Sequence, residues 1–473
     1  MNDILKSPHK KTNIIGVPGA GKTQLVCDIA TLNKNKLFMY LSFGKENTVN
    51  AIARMPQNVI CSSFHALAKN KMNINSSRLI EQLTMSHVNK ILISMGAPTS
   101  SAKILEAFVI LNDIFCSSAS ELRDIPQILD FKRKLFPQLT KEERVFVDTK
   151  FRLFWRSAWL DGSNQLTTHE MYLKEYSLNA SKISVDYLII DEAQDLNSAM
   201  FHLVDSLSYK NPSLKIIKLG DPCQQIFSFI GASERFLNET YHYKLDETHR
   251  FGEDLASKCN EFMSSQNLKY YTPIKSVSDN RTTVNRSPSI NELCKSITSG
   301  FKPTIIARHN MTLLYMMKQL VSVGIKCAIN GDNAQELGFL QELHSVYLGN
   351  NSLHPKLKNK SYGRYLDKAL ILDDKTALLA CRFVESLGED GSLVFENMKN
   401  GLVDKRNAQV LLTTVHQAKG LEFSHLVMMD DFTEVWDDNI KKFKSIEREE
   451  AHIIYTAITR AKLSISLPKS WDS

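Results

Sequence analysis

Short apolar runs recur along the chain at residues 36–41, 59–61, 187–190, 214–219, 304–307, 410–414 and 426–429, most of them closing on a polar or small residue. The segments between them carry helical spacing. This combination predicts buried parallel strands in α/β layers. Ligands of open α/β sheets bind at the carboxyl ends of strands, so the residues that follow these runs are expected to line a common crevice. Between residues 69 and 178 the character shifts to polar, helix-compatible sequence with aromatic clusters such as Phe151-Arg152-Leu153-Phe154-Trp155, which predicts a helical insertion in the first sheet domain. A second stretch, residues 337 to 407, contains HPKLKNKSYGRY. Its Pro, Gly and Lys content predicts a loop or a small basic insertion.

The first apolar stretch, Asn13-Ile14-Ile15, leads into Gly16-Val17-Pro18-Gly19-Ala20-Gly21-Lys22-Thr23, and the periodic Gln24-Leu25-Val26-Cys27-Asp28-Ile29-Ala30 follows. This is G-x-x-x-x-G-K-[ST] between a strand and a helix, the setting the motif requires. Gly16, Gly19 and Gly21 permit backbone angles that turn successive N–H groups around an anion. The helix N-terminus favours the same negative charge. Lys22 is then expected on the β- and γ-phosphates and the Thr23 hydroxyl on Mg²⁺.

After the run at 187–190 stand Asp191-Glu192-Ala193-Gln194-Asp195. An Asp at a strand end is suited to hold Mg²⁺, and a neighbouring Glu to orient and deprotonate an attacking water. Alone the pair reads equally well as a helix cap; beside the Gly-rich loop it reads as the second half of a nucleotide site. Another strand end carries GDPCQQIFSFIGA, residues 220–232, where Gln224 is placed to hydrogen-bond a γ-phosphate. Phe227 and Phe229 either offer ring faces to unstacked bases or pack inward.

GVPGAGKT, LIIDEAQD, GDPCQQIFSFIGA, LDETHR, LLTTVHQAKGLEF and YTAITRAK, in this order, resemble the motifs of UvrD/Rep-type superfamily 1 helicases, spread from Gly16 to Lys462. The resemblance implies two RecA-like parallel-sheet domains, the first from residues 1–70 and 179–243 with a helical insertion at 71–178. The second would comprise 244–336 and 408–473, with a reduced accessory insertion at 337–407. It further implies ATP and Mg²⁺ as cofactors, with Asp191 on the metal and Glu192 as catalytic base. Gln224 would sense the γ-phosphate, Arg250 and Arg460 would act as arginine fingers in cis, and Glu422 would lie near the ribose. For nucleic acid the similarity nominates Phe43, Lys45, Ser63, Phe64, His65, Phe229 and His416, beside Phe227. The arginines have surface ion pairs as their alternative, the two histidines a place in the core, and Phe64 a place beneath its strand.

The implied activity is an ATP-dependent helicase or translocase moving 3′→5′ on single-stranded DNA and at single/double-strand junctions. The alternative is a DNA-stimulated ATPase that strips bound proteins with little unwinding. A small-molecule phosphotransferase would leave Arg460 and KGLEF without a role. The chain departs from the family in three places. No Gln precedes the phosphate loop, His249 stands where a Tyr commonly stacks on adenine, and Phe229-Ile230 replace a usual Trp-Arg.

Composition adds little to this. A net charge of +7 over 473 residues fits a polyanionic partner or scattered surface lysines equally. The eight cysteines include no C-x-x-C pair, and no apolar run approaches the ~18–20 residues of a membrane span. A soluble intracellular protein is therefore expected, in cytoplasm or nucleus, monomeric or weakly self-associating.

Overall fold

The computed structural model describes residues 2–160, 163–228, 231–279, 281–331, 334–354, 357–358, 360–371, 374–437, 439, 441–468 and 471. The chain divides into two compact units. One is Met1–Gly16 with Gly21–Leu245, the other Val17–Ala20 with Asp246–Ser473.

The first unit is built on a six-stranded sheet of β1 (Lys11–Gly16), β2 (Phe38–Ser42), β3 (Val59–Ser63), β4 (Tyr187–Ile190), β5 (Lys215–Gly220) and β6 (Tyr243–Leu245). Its order is β3-β2-β4-β5-β1-β6 and every pairing is parallel. The central strands are apolar throughout because helices cover both faces. Phe38, Tyr40, Tyr187 and Ile189 pack with Val26, Ile29 and Ala30 of the helix Lys22–Leu32. Met39, Leu41, Leu188 and Ile190 point the other way, toward Phe64, Tyr172, Phe201 and Val204.

Among the described residues no strand lies between Ser63 and Tyr187. The helices Met85–Ser94, Ala102–Ser117, Ile125–Phe131 and Lys141–Ala158 enclose a separate core of Phe108, Phe115, Phe151, Phe154 and Trp155. Their starts are written into the sequence, since Thr84, Ser101 and Thr140 each accept the N–H three residues on. Thr140 and Glu143 form a reciprocal capping box.

In the second unit a short parallel pair, β7 (Glu247–Thr248) and β8 (Lys275–Ser276), precedes a six-stranded sheet. Its strands are β9 (Thr283–Arg286), β10 (Thr304–Ala307), β11 (Cys327–Ile329), β12 (Val410–Thr414), β13 (Phe423–Met428) and β16 (Ala461–Leu467). They run in the order β11-β12-β10-β13-β16-β9, again all parallel. The two-residue strands β14 (Trp436–Asp437) and β15 (Lys442–Phe443) pair antiparallel beside it.

Residues 337–407 depart from the expected loop or small basic insertion. Among the described residues this stretch carries four helices, Ala334–Tyr347, Tyr362–Ile371, Lys375–Glu385 and Gly391–Gly401. Leu337, Leu340, Leu343, Phe383, Val384, Phe395 and Met398 join Ile305 of β10 and Leu412 of β12 in one core. The apolar faces of these helices recur every three to four residues. Among the described residues no helix is long and apolar enough to cross a membrane.

Candidate nucleotide and nucleic-acid site

Within the first unit the nominated nucleotide residues lie at or beyond the carboxyl ends of strands. β1 stops at Gly16, and Gly21, with φ 73°, caps the helix that Lys22 begins. A Cβ on Gly16 would lie 2.8 Å from Lys22 Cγ, so this glycine gives the lysine stem its path back along the loop. Lys22 Nζ donates to the Gly16 carbonyl at 2.9 Å. Val17–Ala20, the tip of the loop, group with the second unit. There Thr248 Oγ1 donates to the Pro18 carbonyl at 2.7 Å and the exposed His249 donates its N–H to that of Gly19 at 3.1 Å.

Asp191 directly follows β4 and is buried. Its Oδ1 accepts the Glu192 N–H at 3.0 Å and its Oδ2 accepts the Tyr40 hydroxyl. Burial, then the charge of Glu192, push this carboxyl up to about 6, against the Tyr40 hydrogen bond and the charge of Lys22. Glu192 has φ 52° and ψ 45°, a left-handed backbone that a non-glycine residue adopts at a cost of about 1–3 kcal/mol.

From Glu192 a buried amide chain runs to the third motif. Gln194 Nε2 donates to Glu192 Oε2, and Gln194 Oε1 accepts the Asp221 N–H at 3.1 Å. Asp221 Oδ2 accepts Gln224 Nε2 at 3.0 Å, while Gln225 Nε2 binds the Gln194 carbonyl at 2.7 Å. Burial raises the Asp221 carboxyl, opposed first by the charge of Lys22.

These residues suit a divalent cation of the Mg²⁺ type. Such an ion takes one or two protein oxygens and completes its shell with phosphates and water. Asp191 is a buried carboxylate beside a second carboxylate, and the Tyr40 hydroxyl holds its Oδ2. Bound there, the ion would neutralise charge on the β- and γ-phosphates.

The nominated nucleic-acid residues divide. Ser63 ends β3, and Phe43 and Phe227 follow the carboxyl ends of β2 and β5. The half-buried rings of Phe43 and Phe227 lie 5.6 Å apart. Ser63 Oγ caps the helix Phe64–Lys71 by accepting the Ala66 N–H at 3.1 Å. Phe64 is a correction: at 1% exposure its ring belongs to the core and is not offered to a base. His65 packs edge-on against His169 and Tyr172, and burial pulls its imidazole below the ordinary range. Phe229, Ile230 and the side chain of Lys45 lie outside the described residues.

In the second unit Arg250, Glu422 and Arg460 come together. Arg250 donates to Glu422 Oε2 at 3.0 Å and to the Thr459 carbonyl at 2.8 Å. Glu422 also binds Lys462 at 3.1 Å. Burial would raise this carboxyl, but Arg250 and Lys462 hold it below the usual carboxylate range. Arg460, 2% exposed, donates to the carbonyls of Thr456 and Leu421 at 3.0 and 3.2 Å. Glu422 and Arg460 immediately precede β13 and β16, at the amino edge of the sheet, whereas the half-buried His416 follows β12 at the carboxyl edge.

Tyr40, Gln194, Asp221 and Gln225 were not singled out from the sequence. The last three stood inside quoted motifs, and Tyr40 inside an apolar run, where a tyrosine reads as filler.

Residues 3–230 match the family model of an AAA domain, and residues 372–470 that of the UvrD-like helicase C-terminal domain. The chain is 26% identical to F-box DNA helicase 1 of Gallus gallus, over 97% of this chain and 47% of that protein. It is also 26% identical to F-box DNA helicase protein 1 of Schizosaccharomyces pombe, over 98% and 56%. A probable DNA helicase of Mycoplasma pneumoniae is 25% identical over 63% of this chain and 46% of its own length. The chain thus spans about half the length of the curated relatives it matches.

Proposed function

We propose that this chain, which belongs to the UvrD/Rep-like superfamily 1 helicases, is an ATP-driven motor that moves 3′→5′ along single-stranded DNA and separates strands. The observation that carries this reading is a single carboxyl sheet edge. It holds the phosphate loop, the acidic pair and the Gln194–Asp221–Gln224 chain, and it also holds the Phe43–Phe227 pair.

Lys22 and the loop N–H groups bind the phosphates, and Thr23 and Asp191 hold the cation. Glu192 takes the proton of the attacking water. Gln224 registers the γ-phosphate, while Arg250 and Arg460 stabilise the charge that develops during transfer. Arg250 must exchange its bond to Glu422 for one to phosphate, and this exchange gives the nucleotide a differential hold on two states. Rings that stack bases at about 1–3 kcal/mol each grip the strand without reading its sequence.

DNA as the substrate is supported by the relatives, each of which carries that word in its name. The test is ATP hydrolysis with and without single-stranded DNA, followed by displacement from duplexes with a 3′ or a 5′ tail. Hydrolysis stimulated many-fold by the strand, lost in Lys22→Ala, and displacement confined to the 3′ tail are expected. Full turnover without nucleic acid overturns the proposal.

One observation favours a motor with weak strand separation. Among the described residues the apolar side chains of the 337–407 helices join the core of the second sheet. ATP-driven removal of streptavidin from an unpaired strand, without duplex displacement, is the outcome that selects this reading.

A further inference from the structure

We propose that Tyr40 is a positioning residue for the divalent cation, its hydroxyl orienting the Asp191 carboxylate that holds the ion. The inference rests on the reading of Thr23 and Asp191 as metal ligands.

Tyr40 lies on β2, beside β4 in parallel register, with Tyr40 opposite Ile189 and Leu41 opposite Ile190. Asp191 is the next residue of the neighbouring strand. A phenol reaches it where a phenylalanine or leucine would leave a gap. Tyr40 faces the helix Lys22–Leu32, the helix that carries Thr23.

Its hydroxyl donates to Asp191 Oδ2. The other carboxylate oxygen is tied to the Glu192 N–H. Both oxygens of Asp191 are therefore fixed, each with a lone pair left for an ion or its water. A group that orients a ligating side chain typically contributes about 10–100-fold in metal affinity.

Tyrosine is the side chain that meets this geometry. The site is buried, Tyr40 being 2% exposed, so water does not substitute freely for the lost donor. The ring itself packs with Ile14, Ile189 and Ala30, an apolar surface that Tyr40→Phe leaves in place.

The test is a titration of the nucleotide-bound protein with Mn²⁺, read from the free Mn²⁺ signal in electron paramagnetic resonance. Fluorescent ADP affinity in excess chelator reports the metal-free pocket. Tyr40→Phe is expected to weaken Mn²⁺ binding about 10–100-fold while metal-free ADP affinity stays within about twofold. Unchanged Mn²⁺ affinity in Tyr40→Phe, with Asp191→Asn losing it, overturns the role of Tyr40 alone. Unchanged affinity in Asp191→Asn overturns the metal assignment beneath it, and the inference with it.

Discussion

Gly220 shows how far the nucleotide site depends on single atoms. It ends β5, and a Cβ there would stand 2.3 Å from Gln194 Oε1 and 2.8 Å from the Phe236 ring. The amide of Gln194 lies against the glycine because it bonds Glu192 on one side and the Asp221 N–H on the other. Gly220→Ala pushes that amide away and releases Glu192 from its orientation. A displacement of about 1 Å near reacting groups costs about a hundredfold in rate. The strand-stimulated turnover number of Gly220→Ala should fall by about that factor, with fluorescent ADP affinity nearly unchanged; an equal loss in both would mean that the pocket itself has collapsed. The motif residues were legible because phosphate chemistry demands Gly, Lys, Thr, Asp and Glu at fixed offsets. Gln194 and Tyr40 were not, since their roles depend on contacts with Asp221 and Asp191 that arise only when β4 lies between β2 and β5. Phe64 misled for the converse reason: its motif context was right, but a ring one residue past β3 turns into the core.

At the scale of elements, the helix His169–Leu178, which packs on the first sheet, is tied to the end of the helix Ala102–Ser117 by a buried cation. Lys174, on the helix His169–Leu178, donates to the carbonyls of Ser118 and Ser120 at 2.8 and 2.6 Å, beyond the end of the helix Ala102–Ser117. Its ammonium also lies 4.6 Å from the centre of the Phe115 ring. Burial pulls the amine from 10.5 to about 8, against the opposing charges around it. Between those values the unfolded chain holds a proton that the folded one releases, so stability rises with pH across that window. Below about pH 8 both states are charged and the full burial cost is present, about 3 kcal/mol. Urea midpoints followed by tryptophan fluorescence, to which Trp155 contributes, should climb from pH 8 to 10.5 in the wild type relative to Lys174→Met. Parallel curves for the two proteins would count against this. The runs at 187–190, 304–307 and 410–414 coincide with β4, β10 and β12, because strands buried on both faces are apolar at every position. β9, reading TVNR, and β16, reading AKLSISL, escaped: one is largely exposed at a sheet edge, and the other alternates buried with partly exposed residues. The helices of 337–407 were hidden by the Lys-rich connection, which drew attention from apolar positions such as Leu337, Leu340, Leu343 and Phe383.

At the scale of the whole molecule, a motor requires nucleotide and strand to influence each other's binding, and thermodynamics fixes how. If ATP changes the affinity for DNA by some factor, DNA must change the affinity for ATP by the same one; couplings of about 1–3 kcal/mol correspond to about 5–150-fold. Glu192→Gln removes the proposed catalytic base and leaves the binding groups, so both affinities are expected to be measurable with ATP uncleaved. In that background, the shift in fluorescent ATP affinity on adding single-stranded DNA should equal the shift in DNA affinity on adding ATP. Arg250 is the residue whose loss should erase both shifts together, because in the proposed mechanism its guanidinium leaves Glu422 for the nucleotide phosphate. Arg250→Ala on top of Glu192→Gln is thus expected to bind ATP and DNA independently, with each affinity indifferent to the other ligand. Retention of the full coupling in this double variant would remove Arg250 from the switch and leave Arg460, buried against Leu421 and Thr456, as the arginine to test next.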